Sequence, residues 1–131
     1  MLAYRPPPLK PKVLIADDSP LVLRMIEKML TGAGYDVVTA HDGQEALERA
    51  AGERFGLAIL DVSMPRMNGD EACRALKTAE ATQGLPVIIL TSREAGEMAA
   101  LAGTGADHFI SKDTNTHQIL DLVKSILGPA D

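Results

Sequence analysis

The chain has 131 residues, of which 46% are hydrophobic and 24% charged, enough for one globular domain with a closed core. A formal net charge of −5 and an aromatic content of 3% argue against nucleic acid as a direct partner. The single cysteine, Cys73, excludes an intramolecular disulfide framework, and no apolar window approaches the roughly 18 residues of a membrane span. We therefore expect a cytoplasmic protein that does not contact a membrane.

The first eleven residues contain three consecutive prolines, Pro6 to Pro8, and lack the apolar segment of a signal peptide. Proline-rich segments favour an extended backbone, so residues 1–11 are predicted to form an extended arm. A folded domain is predicted over residues 12–128, followed by a tail of residues 129–131. Because so few residues follow the last predicted helix, we expect no output module in this chain.

Five short apolar runs predict five strands, at Lys12–Ala16, Tyr35–Ala40, Leu57–Leu60, Val87–Leu90 and Asp107–Ser111. The first, third and fourth runs are apolar throughout. This pattern is typical of parallel strands whose two faces are both covered by helices.

Five helical stretches alternate with the strands. The first is predicted to follow Ser19 as N-cap, with Pro20 at its first position and glycines at its end. The others are predicted at Gln44–Ala51 after an Asp42-Gly43 turn, at Asp70–Ala79, at Arg93–Ala102, and from a cap at Thr114 or Thr116 to Gly128. This alternation predicts an α/β fold, a doubly wound five-stranded parallel sheet with five helices.

Apolar positions at helical spacing mark the expected core faces of these helices. They are Leu21, Val22, Met25, Ile26 and Met29 in the first, Ala46, Leu47 and Ala50 in the second, Ala72, Cys73 and Leu76 in the third, and Ile119, Leu122, Val123 and Ile126 in the last.

Polar residues end four of the five strands. Asp17 and Asp18 follow the first strand, Asp61 the third, Thr91 the fourth and Lys112 the fifth. Because the carboxyl ends of parallel strands meet at one edge of the sheet, we expect these side chains to lie together. Three carboxylates and one ammonium leave an excess of negative charge that Mg²⁺, which prefers oxygen ligands, would offset.

A lysine and a hydroxyl beside a carboxylate also suit phosphoryl transfer. The carboxylate attacks in line, while cationic groups and donors stabilise the phosphoryl oxygens. Any one of these residues could instead belong to a buried Asp–Lys pair or cap a helix. Their coincidence at the ends of four strands favours phosphoryl transfer.

Four stretches of the sequence resemble the receiver domain of two-component response regulators, a likeness that extends from about Lys12 to Leu127. The matching stretches are Val13–Ser19, Leu60–Gly69, Ile89–Ser92 and Gly105–Lys112. The resemblance implies a flavodoxin-like fold with strand order 2-1-3-4-5. It also implies a signalling domain rather than an enzyme, limited to self-phosphorylation from phosphodonors and autodephosphorylation.

The resemblance implies that Asp61 is the phospho-acceptor, taking phosphate from a histidine kinase or histidine phosphotransfer protein. Asp18, Asp61 and the backbone carbonyl of Ser63 would hold Mg²⁺, with Asp17 helping through water.

Further roles follow from the same resemblance. Lys112 would pair with the phosphoryl group, Thr91 would turn toward it after transfer, and Phe109 would act as the switch aromatic. The residues two positions past Asp61 and Thr91, here Ser63 and Arg93, would govern the lifetime of the phosphoryl group. The fourth predicted helix, the fifth strand and the last helix would form the surface that controls a downstream protein.

The sequence departs from the family pattern at three places. Asp113 follows the lysine where the family usually has a cis-proline, and a non-proline cis bond costs about 3 kcal/mol. Phe109 lacks the hydroxyl of the tyrosine common at its position. The interval from Thr91 to Lys112 looks one residue short and is rich in glycine, which leaves the course of the fourth predicted helix open.

Two other functions fit the sequence less well. Haloacid-dehalogenase-like phosphatases or phosphotransferases carry a second aspartate two residues after the nucleophile, where this chain has Ser63, and we see no cap domain. A flavodoxin-like cofactor binder would need a Ser/Thr/Gly-rich loop after the first strand, and here that loop is acidic. The histidines at 41, 108 and 117 are expected in loops or at the surface.

Overall fold

The computed structural model describes residues 11–91, 104–112, 114 and 116–129. In chain order its elements are β1 (Lys12–Ala16), α1 (Pro20–Gly32), β2 (Asp36–Ala40), α2 (Gly43–Gly52), β3 (Leu57–Asp61), α3 (Gly69–Thr78), β4 (Val87–Thr91), β5 (His108–Ser111) and α4 (Thr116–Leu127). The described residues thus contain four helices rather than the five predicted. The helix predicted at Arg93–Ala102 and the arm up to residue 10 lie outside the described residues.

All neighbouring strands pair in parallel, in the order β2-β1-β3-β4-β5. This confirms the doubly wound five-stranded sheet and its strand order. Two backbone hydrogen bonds extend the pairing past the strand ends, from Asp17 N to Ala40 O (3.2 Å) and from Lys112 N to Thr91 O (2.8 Å). These bonds hold the residues that follow β1 and β5 at the same edge of the sheet as the end of β4.

Helices cover both faces of the sheet. One face packs against buried residues of α2 and α3, which are Ala46, Ala50, Ala72, Cys73 and Leu76. The other packs against buried residues of α1 and α4, which include Leu23, Ile26, Leu30 and Val123. Every residue of β3 and β4 is buried. Because each buried Val, Leu or Ile contributes about 1.5 to 3 kcal/mol relative to exposure, these central strands form the stable platform of the domain.

The structure corrects the apolar face predicted for α1. Its buried residues are Leu23, Ile26 and Leu30, whereas Leu21 and Met25 are 66% and 49% exposed. Apolar residues occur on more than one side of this helix, so only its packing on the sheet determines which side is buried.

The other helices follow the prediction closely. The three residues predicted to be buried in α3 are buried, and so are Ala46, Ala50, Ile119 and Val123. Leu47, Leu122 and Ile126 are partly buried against the core. Within the described residues, no helix combines the length and the apolar character that crossing a bilayer requires.

The starts of two helices differ in detail from the prediction. Asp42 does more than turn the chain, because its side chain caps α2 by accepting a hydrogen bond from Glu45 N at 2.8 Å. Thr116 is the first residue of α4 rather than a residue before it.

Asp107 joins three elements at the amino ends of β4 and β5. Its Oδ2 accepts hydrogen bonds from Val87 N and from Lys77 Nζ, both at 2.8 Å, and Lys77 also donates to Leu85 O. Partial burial by itself raises the pKa of Asp107, but the hydrogen bonds from Lys77 and Val87 outweigh it, and the pKa lies below its usual value.

Replacing Asp107 with asparagine should therefore destabilise the domain at neutral pH by about 0.5 to 1 kcal/mol, since this partly exposed ion pair is lost while the Val87 bond can persist. A carboxyl whose pKa is lowered on folding stabilises the protein above its unfolded pKa of about 3.9 and loses that effect as the pH falls through the folded-state value. The difference between wild type and variant in urea denaturation should thus be full above about pH 5, shrink as the pH falls below about 4, and vanish only below the folded-state pKa. A difference that stays constant with pH would show that the charge is not responsible.

Candidate functional site

Three carboxylates meet at the carboxyl edge of the sheet. One carboxylate oxygen from each of Asp17, Asp18 and Asp61 lies within 4.8 Å of the others. Asp17 and Asp61 are almost fully buried, at 0% and 1% exposure, whereas Asp18 is exposed. The cluster therefore opens to solvent on the Asp18 side.

Lys112 supplies the positive charge of the site. Its Nζ donates a hydrogen bond to Asp61 Oδ2 at 2.9 Å and lies 3.3 Å from Asp17 Oδ2. Partial burial by itself lowers the pKa of Lys112, but the hydrogen bond to Asp61 and the charges of both aspartates outweigh it and raise the pKa above its usual value. Lys112 therefore remains an ammonium ion at neutral pH.

The second buried carboxylate is less well compensated. Asp17 Oδ1 accepts a hydrogen bond from Ser19 N at 2.9 Å, but its Oδ2 is buried without a hydrogen-bond partner among the described residues. Burial raises the pKa of Asp17, and the negative charge of Asp61 raises it further. The Ser19 amide and Lys112 offset only part of this effect. Ionised Asp17 is thus destabilising in the metal-free protein.

This donor set fits a hard divalent cation. The three carboxylates outnumber the one ammonium, their oxygens are close together, and in the described part of the chain Asp17 Oδ2 has the ion pair with Lys112 at 3.3 Å but no well-aligned hydrogen bond. Oxygen ligands with excess negative charge suit Mg²⁺, which typically binds one or two carboxylates and keeps several waters. Ser63 is also near, because its amide donates to Asp61 Oδ1 at 3.3 Å.

Thr91 and Phe109 lie on adjacent strands. Thr91 ends β4 and is buried, while Phe109 is partly buried against the core on the α2–α3 side. In the β4–β5 register Phe109 pairs with Ile89, two residues before Thr91. Because residues two apart on a strand share a face, Thr91 and Phe109 are on the same face of the sheet.

The loop from Val62 to Asn68, called here the β3–α3 loop, begins directly after Asp61. It is followed by Gly69, the first residue of α3, where a Cβ atom would lie only 2.2 Å from the Asp61 carbonyl oxygen, so only glycine permits this approach. Gly69 N donates to Val62 O at 3.0 Å. Asn68 then caps α3 by accepting from Glu71 N.

Sequence reasoning missed the contact of this loop with α2. Arg66 Nε donates to Asp42 Oδ2 at 3.0 Å, and Arg66 Nη2 donates to the same oxygen. The hydrogen bonds from the Glu45 amide and from Arg66 lower the pKa of Asp42. Its position before a helix, three residues from Glu45, is a capping signal that could have indicated its role. Nothing local in the sequence marks Arg66.

Other predicted residues lie away from the site or beyond the described ranges. His41, His108 and His117 are exposed, in agreement with their predicted surface positions. Arg93 and Asp113 lie outside the described residues, so the proposed effect on phosphoryl lifetime and the conformation of the bond before Asp113 stay predictions.

Comparison with known proteins shows one consistent family. Residues 13–124 match the family described as response regulator receiver domain. Response regulator MprA of Mycobacterium ulcerans is 36% identical over 117 residues, which make up 88% of this chain and 50% of MprA. The chain thus spans about half the length of the curated relatives it matches.

Solved structures agree with this match. Chemotaxis response regulator CheY4 of Vibrio cholerae has a TM-score of 0.84 at 34% identity, covering 90% of this chain and 99% of that chain. TrrA of Thermotoga maritima, solved in complex with Mg²⁺-BeF, has a TM-score of 0.81 at 27% identity, covering 89% and 99%. The matches support neither a haloacid-dehalogenase-like enzyme nor a flavodoxin-like cofactor binder.

Replacing Asp17 with asparagine should stabilise the metal-free protein at neutral pH by about 1 kcal/mol, or roughly 4 °C in Tm, because it removes a buried and poorly compensated charge. A carboxyl whose pKa is raised on folding destabilises the fold once the pH exceeds its unfolded pKa of about 3.9, so the gain should vanish toward pH 4. Thermal unfolding in chelator tests this expectation. A lower Tm of the variant than of the wild type at neutral pH would mean that Lys112 already compensates the negative charge of Asp17 fully.

Proposed function

The chain belongs to the response regulator receiver domain family, and from this premise we propose that Asp61 accepts a phosphoryl group from a histidine kinase or a histidine phosphotransfer protein in the cytoplasm. Receiver domains are signalling domains and not conventional enzymes. The observation that carries the proposal is the 2.9 Å hydrogen bond from Lys112 Nζ to Asp61 Oδ2, in a site with two further carboxylates.

The reaction requires Asp61 to attack phosphorus in line with the departing group. An Asp61 carboxylate oxygen forms the new P–O bond as the P–N bond to the donor histidine breaks, and the electron pair returns to the imidazole. The Lys112 ammonium then lies beside the developing negative charge on the phosphoryl oxygens. Asp61 has a second anchor, because Ser63 N donates to its Oδ1.

Asp18, Asp61 and the backbone carbonyl of Ser63 are the proposed Mg²⁺ ligands, with Asp17 acting through water. Bound Mg²⁺ would offset the repulsion between the carboxylates and the incoming phosphoryl group. The likeness to TrrA, which was solved in complex with Mg²⁺-BeF, supports a role for Mg²⁺ and is consistent with phospho-acceptance.

The proposed output is a change of surface. Thr91 would turn its hydroxyl toward the phosphoryl group, and Phe109 would follow, since the two residues share a face of the sheet. The surface that presents this change to a downstream protein would consist of the helix predicted at Arg93–Ala102, β5 and the last helix, α4. Ser63 and Arg93 are the proposed determinants of phosphoryl lifetime, on the basis of family resemblance.

Acetyl phosphate with Mg²⁺ should add the mass of one phosphoryl group to the chain, and Asp61→Asn should abolish this addition because the nucleophilic carboxylate is lost. Intact-mass spectrometry provides the readout, with chelator as the control for metal dependence. A full adduct on the Asp61→Asn protein would assign the acceptor to another residue.

We also propose that the exposed side of α1 contacts the protein phosphodonor. This helix begins at Pro20, directly after the acidic loop, and Leu21 and Met25 expose apolar side chains one turn apart. Beside them, a cleft of about 120 Å³ is lined by Met25, Ile26, Lys112, Thr116 and neighbouring residues. An apolar surface adjoining Lys112 suits a protein that must bring a phosphohistidine to Asp61.

The test uses a purified histidine kinase that phosphorylates the wild-type chain. Replacing Met25 with glutamate should slow phosphoryl transfer from this kinase about tenfold, since a charge would then be buried on docking. Labelling by acetyl phosphate, which needs no docking surface, should be unchanged. The matched control is Gln83→Glu, which adds the same charge at the exposed turn before β4. Equal slowing with both donors would show that the substitution damages the site itself.

A further inference from the structure

Arg66 has an unusual backbone conformation. Its φ of 65° is in the left-handed region, and it is the only residue other than glycine with positive φ in the described ranges. Met67 N donates to Pro65 O at 2.7 Å and closes a three-residue turn centred on Arg66. Such turns with positive φ are rare and strained, so they persist where surrounding contacts hold them.

The side chain of Arg66 supplies one of these contacts. Its guanidinium donates through Nε and Nη2 to Asp42 Oδ2, and the Asp42 side chain is only 4% exposed. Asp42 is itself fixed, because its other oxygen accepts the Glu45 amide at the amino end of α2. Arg66 is therefore tied to a rigid acceptor even though its own side chain is 73% exposed.

The backbone provides a second contact between the same two segments. Gly43 N donates to Met67 O at 2.9 Å, and a Cβ atom on Gly43 would lie 2.2 Å from that oxygen. The amino end of α2 and the β3–α3 loop are thus in direct contact. Together with the Gly69–Val62 hydrogen bond, these contacts fix the loop on both sides of its strained turn.

We infer that Arg66 is a positioning residue, which clamps the β3–α3 loop to Asp42 and so holds the Ser63 carbonyl where a divalent cation binds. This inference rests on the proposed function, in which Ser63 contributes a metal ligand. Ser63 is exposed and lies three residues before Arg66, and its backbone amide donates only a long hydrogen bond, of 3.3 Å, to Asp61 Oδ1. Met64, between Ser63 and Arg66, is buried in the core on the α2–α3 side, so the clamp adds to this anchor in keeping the segment in place before the cation arrives.

Two single variants break the clamp from opposite sides. Arg66→Gly removes the guanidinium and relaxes the positive φ, which glycine adopts without strain. Asp42→Asn retains a side-chain oxygen for the α2 cap, where asparagine performs as well as aspartate, but removes the charge that Arg66 binds. Arg49→Ala is the matched control, since it removes an exposed arginine from α2 that pairs with Glu45 and not with the loop.

Mg²⁺ affinity is measured by titrating MgCl₂ into each ¹⁵N-labelled protein and following amide chemical shifts, which also report whether the fold is intact. Arg66→Gly and Asp42→Asn should each raise the Kd for Mg²⁺ by about tenfold, as expected for residues that orient a metal ligand. Arg49→Ala should leave the Kd unchanged. The double variant should bind no more weakly than either single variant, because both changes remove the same contact. At saturating Mg²⁺, labelling by acetyl phosphate should return to the wild-type level.

Wild-type affinity in both clamp variants, or additive losses in the double variant, would overturn the role of Arg66. The test separates this result from failure of the underlying site through Asp18→Asn. If the wild-type chain binds no Mg²⁺, or Asp18→Asn binds it as tightly as wild type, the metal site itself is wrongly assigned and the inference is refuted with it.

Discussion

The contact of the Lys112 ammonium with two buried carboxylates is the interaction on which the site depends. Lys112 Nζ is 2.9 Å from Asp61 and 3.3 Å from Asp17, and without it two nearly inaccessible negative charges would face each other. One ammonium cannot neutralise a group of three carboxylates, and burial, together with the negative charge of Asp61, keeps the pKa of Asp17 above its usual value. Such local instability is common where a protein binds a charged ligand, because the ligand supplies the missing compensation.

The fold meets this electrostatic demand with a rigid platform. The central strands β3 and β4 are buried along their whole length, and pairing past the strand ends fixes Asp17 beside Ala40 and Lys112 beside Thr91. The β3–α3 loop is fixed separately. Gly69 lies directly against the Asp61 carbonyl, and the loop also contacts the amino end of α2. Acceptor, lysine and loop are therefore positioned by different elements that share one edge of the sheet.

Two differences between expectation and structure have physical causes. In α1, apolar residues recur at helical spacing on more than one side of the helix. Packing on the sheet buries Leu23, Ile26 and Leu30, while Leu21 and Met25 remain exposed. Asp42 looked like a turn residue because Asp-Gly pairs favour turns, yet its carboxylate both caps α2 and accepts from Arg66. A local sequence pattern shows that a residue is apolar at helical spacing or favours a turn. It does not show which residues of other elements that side chain will contact.

The sequence by itself determined the strands, most helix boundaries and the group of Asp17, Asp18, Asp61, Thr91 and Lys112 at one edge. These features follow from apolar runs, capping residues and the geometry of parallel strands, all of which act over a few residues or follow from topology. Only the tertiary structure decided that Lys112 contacts both buried aspartates, and that Arg66 reaches Asp42, 24 positions earlier in the chain. Contacts between distant residues depend on how whole elements pack and on backbone conformations such as the positive φ of Arg66, and neither leaves a periodic signal in the sequence.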